Sequence, residues 1–355
     1  MSGSIDEALK GTFERIHDQG QNKAQLALEA IAWVLLAFHP LTLTELRHAV
    51  SIEVGTSQFG GDDIVSDHII RYCLGVLVEG PNSTVQFMHF TLGEFLESSH
   101  HLVLGIGHET IAQKCITHVM HKSLACEGDH DIFILQRGIG LYKAQRFPVD
   151  HSPRFPLLKY AALFWGDHTR HVQDESKKTE ELALHFVLSI MDELQSGYEC
   201  NASYYMWRHA LLLELAKGNG SNWKLPIFDL LSHFGLYSLW KQVRERFPEL
   251  RPTEVGHNWR HGALLFARHK AMVEFISMEL PQDLQRFGGD LLISSYKNGR
   301  HDIVRWLLQK PNINVNCASS TGASLIDVCK EKDIRRALKQ HPRFRPYISP
   351  DQPTR

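Results

Sequence analysis

The chain lacks the signatures that would make its function easy to state, and each absence excludes something. No run of apolar residues approaches the roughly 18 that a membrane-crossing helix needs, so a helical membrane span is excluded. The first residues, MSGSIDEALKGTFERI, have no charged start followed by an apolar core, which predicts a soluble, intracellular chain. There is no Gly-x4-Gly-Lys-Ser/Thr phosphate loop, no His-Glu-x-x-His zinc helix and no Gly-x-Ser-x-Gly nucleophile elbow. Lys217 to Lys224 is glycine-rich but wrongly spaced for phosphate, so it is read as a loop. The six cysteines, Cys73, Cys115, Cys126, Cys200, Cys317 and Cys329, have no paired spacing, which suits a reducing compartment. Excess charge is missing too: 38 Lys plus Arg against 40 Asp plus Glu leave a formal charge of -2. Such a balance supplies no global field for a phosphate backbone, so nucleic acid is disfavoured as a partner.

What is present is helical patterning on 355 residues, enough chain for two or three domains with cores of their own. Leu26, Leu28, Ile31, Ala32, Leu35 and Leu36 recur at helical spacing and predict a buried helix that Pro40 ends. Thr42 or Thr44 is placed to cap a second helix, and Ile64 to Leu74 reads as a third. Gly75-Val76-Leu77-Val78-Glu79 and Thr84-Val85-Gln86-Phe87-Met88 flank Gly80-Pro81-Asn82-Ser83, a reversal favoured by its Gly and Pro. Three helices, a hairpin and a further helix describe a winged-helix domain over residues 25–104, preceded by a helical linker over 1–24. Residues 105–220 read as a helical linker domain. Near the C-terminus, Leu239, Met272 and Ile303 stand 33 and 31 residues apart in matching contexts, a period that signals stacked helix pairs over 221–340. The proline-punctuated residues 341–355 read as a disordered tail. The fold class is therefore mainly α: a winged-helix domain with a small β-hairpin, a helical linker and an ankyrin-like repeat stack.

The segment Ala27 to Leu35, followed by Pro40-Leu41-Thr42-Leu43-Thr44-Glu45-Leu46 and by Gln86 to Leu96, resembles the winged-helix region downstream of the NTPase in fungal NACHT-ankyrin proteins, relatives of the NOD-like receptors. Asp6 to Ile16, and Phe155-Pro156-Leu157-Leu158-Lys159-Tyr160-Ala161-Ala162 with Trp165-Gly166, extend the resemblance across most of the chain. It implies the C-terminal part of a nucleotide switch without its NTPase, and a fungal signalling or self-recognition role. In that wider family a Met-His pair faces bound nucleotide, and Met88-His89 resembles it, with Phe90 where an acidic residue is common. A nucleotide role for His89 would need a partner to bring the nucleotide. The alternative is a histidine that packs and hydrogen-bonds at the strand-to-helix corner, where Thr91 and Glu94 have capping-box spacing.

Other chemistry is weakly represented. Asp62, Asp63 and Asp67 around the third helix oppose a phosphate backbone, which argues against DNA reading by the winged helix. Cys115, His118, His121 and Cys126, with His130 nearby, are the best zinc candidates among 22 histidines. Steps of three drift around a helix instead of converging, so no metal ligand set is assigned. The repeats depart from Thr-Pro-Leu-His-x-Ala: Asp290-Leu291-Leu292-Ile293-Ser294-Ser295 and Ser324-Leu325-Ile326-Asp327-Val328-Cys329 lack its proline and histidine. The sequence thus reads as a non-enzymatic, cofactor-free protein-interaction module, cytoplasmic with the nucleus as second compartment. Contact candidates are Gly256, His257, Asn258, Trp259 and Arg260 in one turn, and Tyr296, Lys297, Asn298 and Arg300 in the next. The partners expected are other proteins, an NTPase among them. The alternative is a nuclear transcriptional co-regulator acting through a protein partner.

Overall fold

A computed structural model describes residues 2–56, 68–98, 107–120, 155–172, 175–196, 227–247, 259–317 and 324–345. The chain is mainly helical, with a small two-stranded antiparallel sheet, and divides into two compact units, Met1–Trp223 and Lys224–Arg355.

In the first unit, α1 (Ser2–His17) and α2 (Gln21–Leu36) are followed by α3 (Leu43–Ser51) and α4 (Ile69–Tyr72). Helix α2 is the centre, touching α1, α3 and α4. Its fully buried residues are mostly small, Ala24, Ala27, Ala30 and Ala32, together with Ile31 and Trp33, while Leu26, Leu28, Leu35 and Leu36 are only half-buried. A helix surrounded on several sides needs short side chains where its neighbours approach, so burial follows alanine instead of the leucine stripe. Thr42 is the residue that caps α3. Its Oγ1 accepts from the Glu45 amide at 3.2 Å, and the Glu45 carboxylate accepts from the Thr42 amide at 2.7 Å, a reciprocal capping box. Of the third helix expected over Ile64–Leu74, Ile69–Tyr72 is helical, Cys73 and Leu74 form a turn with Leu74 at φ 47°, and residues 64–67 lie outside the described residues.

Strands β1 (Leu77–Glu79) and β2 (Val85–Phe87) pair antiparallel in the register Leu77 with Phe87 and Glu79 with Val85. The reversal lies at Gly80 to Ser83 as the sequence predicts, but the left-handed residues are Asn82 (φ 58°) and Ser83 (φ 56°). The Thr84 hydroxyl donates to the Pro81 carbonyl at 2.7 Å and closes the turn. The chain just before α3 adds a short third edge: the Val85 amide donates to the Leu41 carbonyl at 2.8 Å, and Thr42 bridges Thr84. Helix α5 (Phe90–Ser98) follows and returns to α2.

Helices α6 (His108–Val119), α7 (Leu158–Val172) and α8 (Lys177–Ser196) complete the described part of this unit. Cys115, Ile116 and Val119 of α6 share a core with Leu158, Ala161 and Trp165 of α7, and Phe186 of α8 meets Trp165 edge-on at 5.2 Å. Lys114 of α6 joins the two groups of helices. Its ammonium is buried against the Glu29 carboxylate of α2 and donates to the Val50 and Ala49 carbonyls at 3.0 and 3.4 Å. Those carbonyls end α3, where the helix dipole favours a cation. Burial raises the Glu29 pKa despite the Lys114 charge, so desolvation outweighs attraction at this carboxyl.

The second unit is a stack of helix pairs: α9 (Ile227–Phe234) with α10 (Tyr237–Arg246), α11 (Trp259–Phe266) with α12 (Lys270–Glu279), α13 (Pro281–Lys297) with α14 (His301–Leu308), and α15 (Leu325–Val328) with α16 (Lys332–Gln340). Leu239, Met272 and Ile303 occupy the same buried position on the second helix of successive pairs, and Ile334 takes it in the last. Two pairs make the same turn. Gly235 (φ 73°) lets the Leu236 amide reach the Leu231 carbonyl at 2.9 Å, and Gly299 (φ 70°) lets the Arg300 amide reach the Ser295 carbonyl at 2.8 Å. Salt bridges of 2.8 Å, Arg244 to Glu279 and Arg305 to Asp333, link consecutive pairs. At the end, His341–Arg345 lies along the loop after α14. Arg343 Nη1 donates to the Asn312 carbonyl at 2.9 Å, and Asn316 Nδ2 donates to the Arg343 carbonyl at 2.7 Å. The tail read from 341 therefore starts with a held segment; residues 346–355 lie outside the described residues.

Two predictions follow from this packing. Lys114→Ala leaves the Glu29 carboxylate buried without its cation and should cost about 3–5 kcal/mol in urea unfolding, whereas the double replacement E29M/K114M should recover most of it. In the second unit a Cβ on Gly262 would fall 2.4 Å from Asp229 Oδ1, a fully buried carboxylate. Gly262→Ala should cost about 1–3 kcal/mol. Gly288→Ala, whose new methyl would fall 2.4 Å from Ile313 Cδ1, the far end of a flexible side chain, should cost less.

Candidate interaction surfaces

At the corner between β2 and α5, His89 acts through its ring. Its Nδ1 accepts from the Thr91 amide at 3.3 Å and lies 2.8 Å from the Thr91 hydroxyl. The helix starts at Phe90, so the cap is the imidazole and Thr91 lies inside the first turn, where it cannot play the capping role its spacing with Glu94 suggested. His89 is exposed and stacks on Phe90 at 4.7 Å. Its neighbours Met88 and Phe90 are 60% and 71% exposed, an apolar patch around the ring.

The repeat-turn candidates divide in the structure. Tyr296 donates to the Glu331 carboxylate at 2.6 Å and accepts from the Lys330 amide at 2.9 Å, tying its pair to the next. That hydrogen bond lowers the Glu331 pKa. Arg300 donates to the Leu265 and Ala267 carbonyls at 3.1 and 3.0 Å, tying its pair to the previous one, and burial lowers its pKa. Both are structural links. Lys297 and Asn298 are exposed, with Asn298 Nδ2 donating to the Ser294 carbonyl at 2.9 Å. Trp259 and Arg260 open α11, and Gly256, His257 and Asn258 lie outside the described residues.

The sequence reading overlooked a second cluster, in the first unit, because its members come from three distant segments. The Phe38 amide donates to the Tyr160 hydroxyl at 3.2 Å, and Tyr160 lies 2.9 Å from His168 Nε2. His168 Nδ1 lies 2.7 Å from His108 Nδ1, and His108 stacks on His171 at 4.2 Å. Neutral imidazoles satisfy every contact, for example with Tyr160 donating to His168 Nε2 and His168 Nδ1–H donating to His108 Nδ1. Burial is the main cause that lowers all three histidines, helped by the Arg170 charge on His108 and His171; His108 falls to about 4. Asp167 acts on His171 in the opposite sense.

No group of His, Cys, Asp and Glu among the described residues could hold a metal. His108 and His171 illustrate why: their planes lie 12° apart, and stacked rings cannot aim in-plane lone pairs at one ion. Cys115 and His118 are buried on α6, His118 edge-on to His48 at 4.9 Å. His121, Cys126 and His130 lie outside the described residues. Burial pushes the Cys73 thiol up to about 12 and the Cys115 thiol up as well, which keeps both protonated and unreactive. Among the described residues no helix is long and apolar enough to cross a membrane.

One surface remains. On α16 the cations Lys332, Arg335, Arg336 and Lys339 are all exposed, opposite the buried Ile334 and Leu338. The spacing i, i+3, i+4, i+7 was there to be read as one helical face.

The chain matches no protein-family model, no curated protein and no solved structure.

The histidine cluster generates a pH prediction. Between the ordinary histidine pKa of about 6.5 and the lowered values, the unfolded chain binds protons that the folded cluster refuses, so stability present above that window is lost as pH falls through it. The melting temperature should drop from pH 7.5 to pH 5, and His108→Asn should flatten that dependence. An unchanged slope in the variant would mean that the cluster does not govern the acid response.

Proposed function

We propose that this chain is a non-catalytic protein-interaction module in which a winged-helix-like segment and a helical linker precede an ankyrin-like repeat stack. The observation that carries this reading is the recurrence, on successive helix pairs, of one buried apolar position at Leu239, Met272, Ile303 and Ile334. Repetition of that kind builds an extended surface whose turns vary freely while the core stays constant. The glycine turns at Gly235 and Gly299 support the ankyrin-like description. The hairpin with its third edge at Leu41, set among α2, α3, α4 and α5, supports the winged-helix description. The protonated, buried thiols fit a chain that does no chemistry of its own.

Within this reading the ligands are other proteins, with Lys297 and Asn298, at the turn between the helices of one pair, and Trp259, at the start of α11, as contact residues. The Met88-His89-Phe90 patch is where an NTPase-containing partner of the kind implied by the family resemblance would sit. Cytoplasm is the expected compartment.

Proximity labelling with the full-length chain tests this. The substitutions K297E/N298R, both at exposed positions, should remove a defined set of labelled proteins that M88E/F90E retains. The reverse outcome would place the working surface at the hairpin corner, and loss of nothing in either variant would remove the interaction reading.

A further inference from the structure

We propose that the exposed cationic face of α16 is a docking surface for an acidic polypeptide segment of a partner protein. This deepens the interaction reading and rests on it.

The overall charge of -2 conceals a division between the units. Residues Lys224–Arg355 contain 21 Lys plus Arg and 13 Asp plus Glu, a net of +8. Met1–Trp223 holds the remaining 17 and 27, a net of -10. Part of the positive excess gathers on the last helix pair. Lys332, Arg335, Arg336 and Lys339 lie along one face, with Lys332 four residues before Arg336 and Arg335 four before Lys339. Like charges at that spacing destabilise a helix, and a purely solubilising cap is better served by alternating signs. A local rule broken without gain to the fold marks a working surface.

The carboxylates nearby do not relieve the repulsion. Asp333, the one acid on α16, receives a hydrogen bond from Arg305 at 2.8 Å, and Glu331 receives one from Tyr296 at 2.6 Å. Asp327 is held in its own capping box with Ser324. Beyond the helix, Arg343 and Arg345 add two more exposed cations. From Lys332 to Lys339 the helix advances roughly 10 Å, comparable with the screening length at physiological salt, so the four charges act as one patch.

The chemistry favours carboxylates on a polypeptide. Two arginines in the stripe present planar forks that match carboxylates bidentately. An acidic segment with carboxylates one helical turn apart repeats the roughly 6 Å spacing of Lys332 to Arg336 and of Arg335 to Lys339. Single-stranded nucleic acid would need aromatic platforms for its bases, and the stripe contains none.

The test uses the full-length chain and a fluorescein-labelled Glu-rich peptide, read by fluorescence anisotropy at low and at physiological salt. The variant K332E/R335E/R336E/K339E changes only exposed side chains, and its thermal melting curve verifies the fold. Binding should weaken by about tenfold or more in this variant, fall with added salt in the parent, and stay unchanged in the control K241E/R286E, which reverses exposed cations on other pairs. Equal binding by parent and quadruple variant, or equal loss in the control, overturns the proposal. Polyuridine that binds the parent more tightly than the peptide overturns it as well and makes the stripe a nucleic-acid site. Proximity labelling separates this from the broader reading. Partners lost with K297E/N298R but kept by the quadruple variant leave the interaction module standing and sink the α16 surface. Stripe-dependent peptide binding with no partner lost in either variant sinks the interaction module, and the partner docking at α16 with it.

Discussion

The first unit depends on one buried ammonium. Lys114 faces a carboxylate on α2 and the final carbonyls of α3, so three helices must be in register before its charge is compensated. A buried ion pair of this kind is a poor source of stability but a strict condition on geometry, because any alternative packing strands a charge in an apolar interior. The raised Glu29 pKa carries the same message: the fold tolerates desolvation in order to join the first group of helices to α6. The alanines of α2 are the other half of this arrangement. They are short side chains where other helices approach α2.

The second unit solves the same problem by repetition. Each pair buries its apolar position against the next, and polar ties of similar reach, Arg244 to Glu279, Arg300 to Leu265 and Tyr296 to Glu331, cross each junction. Side-chain hydrogen bonds and ion pairs therefore hold each junction. This explains why Tyr296 and Arg300, which stand in exposed-looking turn segments, face inward to neighbouring pairs. A turn residue with a long polar side chain can serve the stack or a partner, and here geometry assigns these two to the stack.

What could be read from the sequence was local. The cap expected at Thr42 or Thr44, which falls on Thr42, the reversal at Gly80 to Ser83 and the helix-pair period at Leu239, Met272 and Ile303 each depend on residues close in the chain or on a simple recurrence, and each is found in the structure. The interactions that organise the first unit escaped because they join segments far apart: Lys114 to Glu29, or His108 to His168 and Tyr160 to Phe38. Local pattern also misled where it counted leucines on α2, since burial there is decided by how many neighbours surround the helix. His89 shows a finer limit. A shift of two residues in the helix start, from Leu92 to Phe90, turned an expected threonine cap into an imidazole cap.

Averages conceal as much as distance does. A net charge near zero argues against attraction to a phosphate backbone, yet field depends on where charges sit, not on their sum. A unit at -10 and a unit at +8 are each strongly charged although their sum is -2. The same holds for the histidines. A count of 22 invites metal chemistry, whereas His108 and His168 are hydrogen-bonded ring to ring and His171 stacks on His108, a packing that favours neutral imidazoles. In both cases composition names the raw material, and only the placement of each group decides whether it binds, stabilises or merely fills space. The cationic face of α16 follows from that distinction. Its four charges are few beside the whole chain's 78 Asp, Glu, Lys and Arg residues, but they are alone on their helix face, and that isolation makes them a surface a partner can recognise.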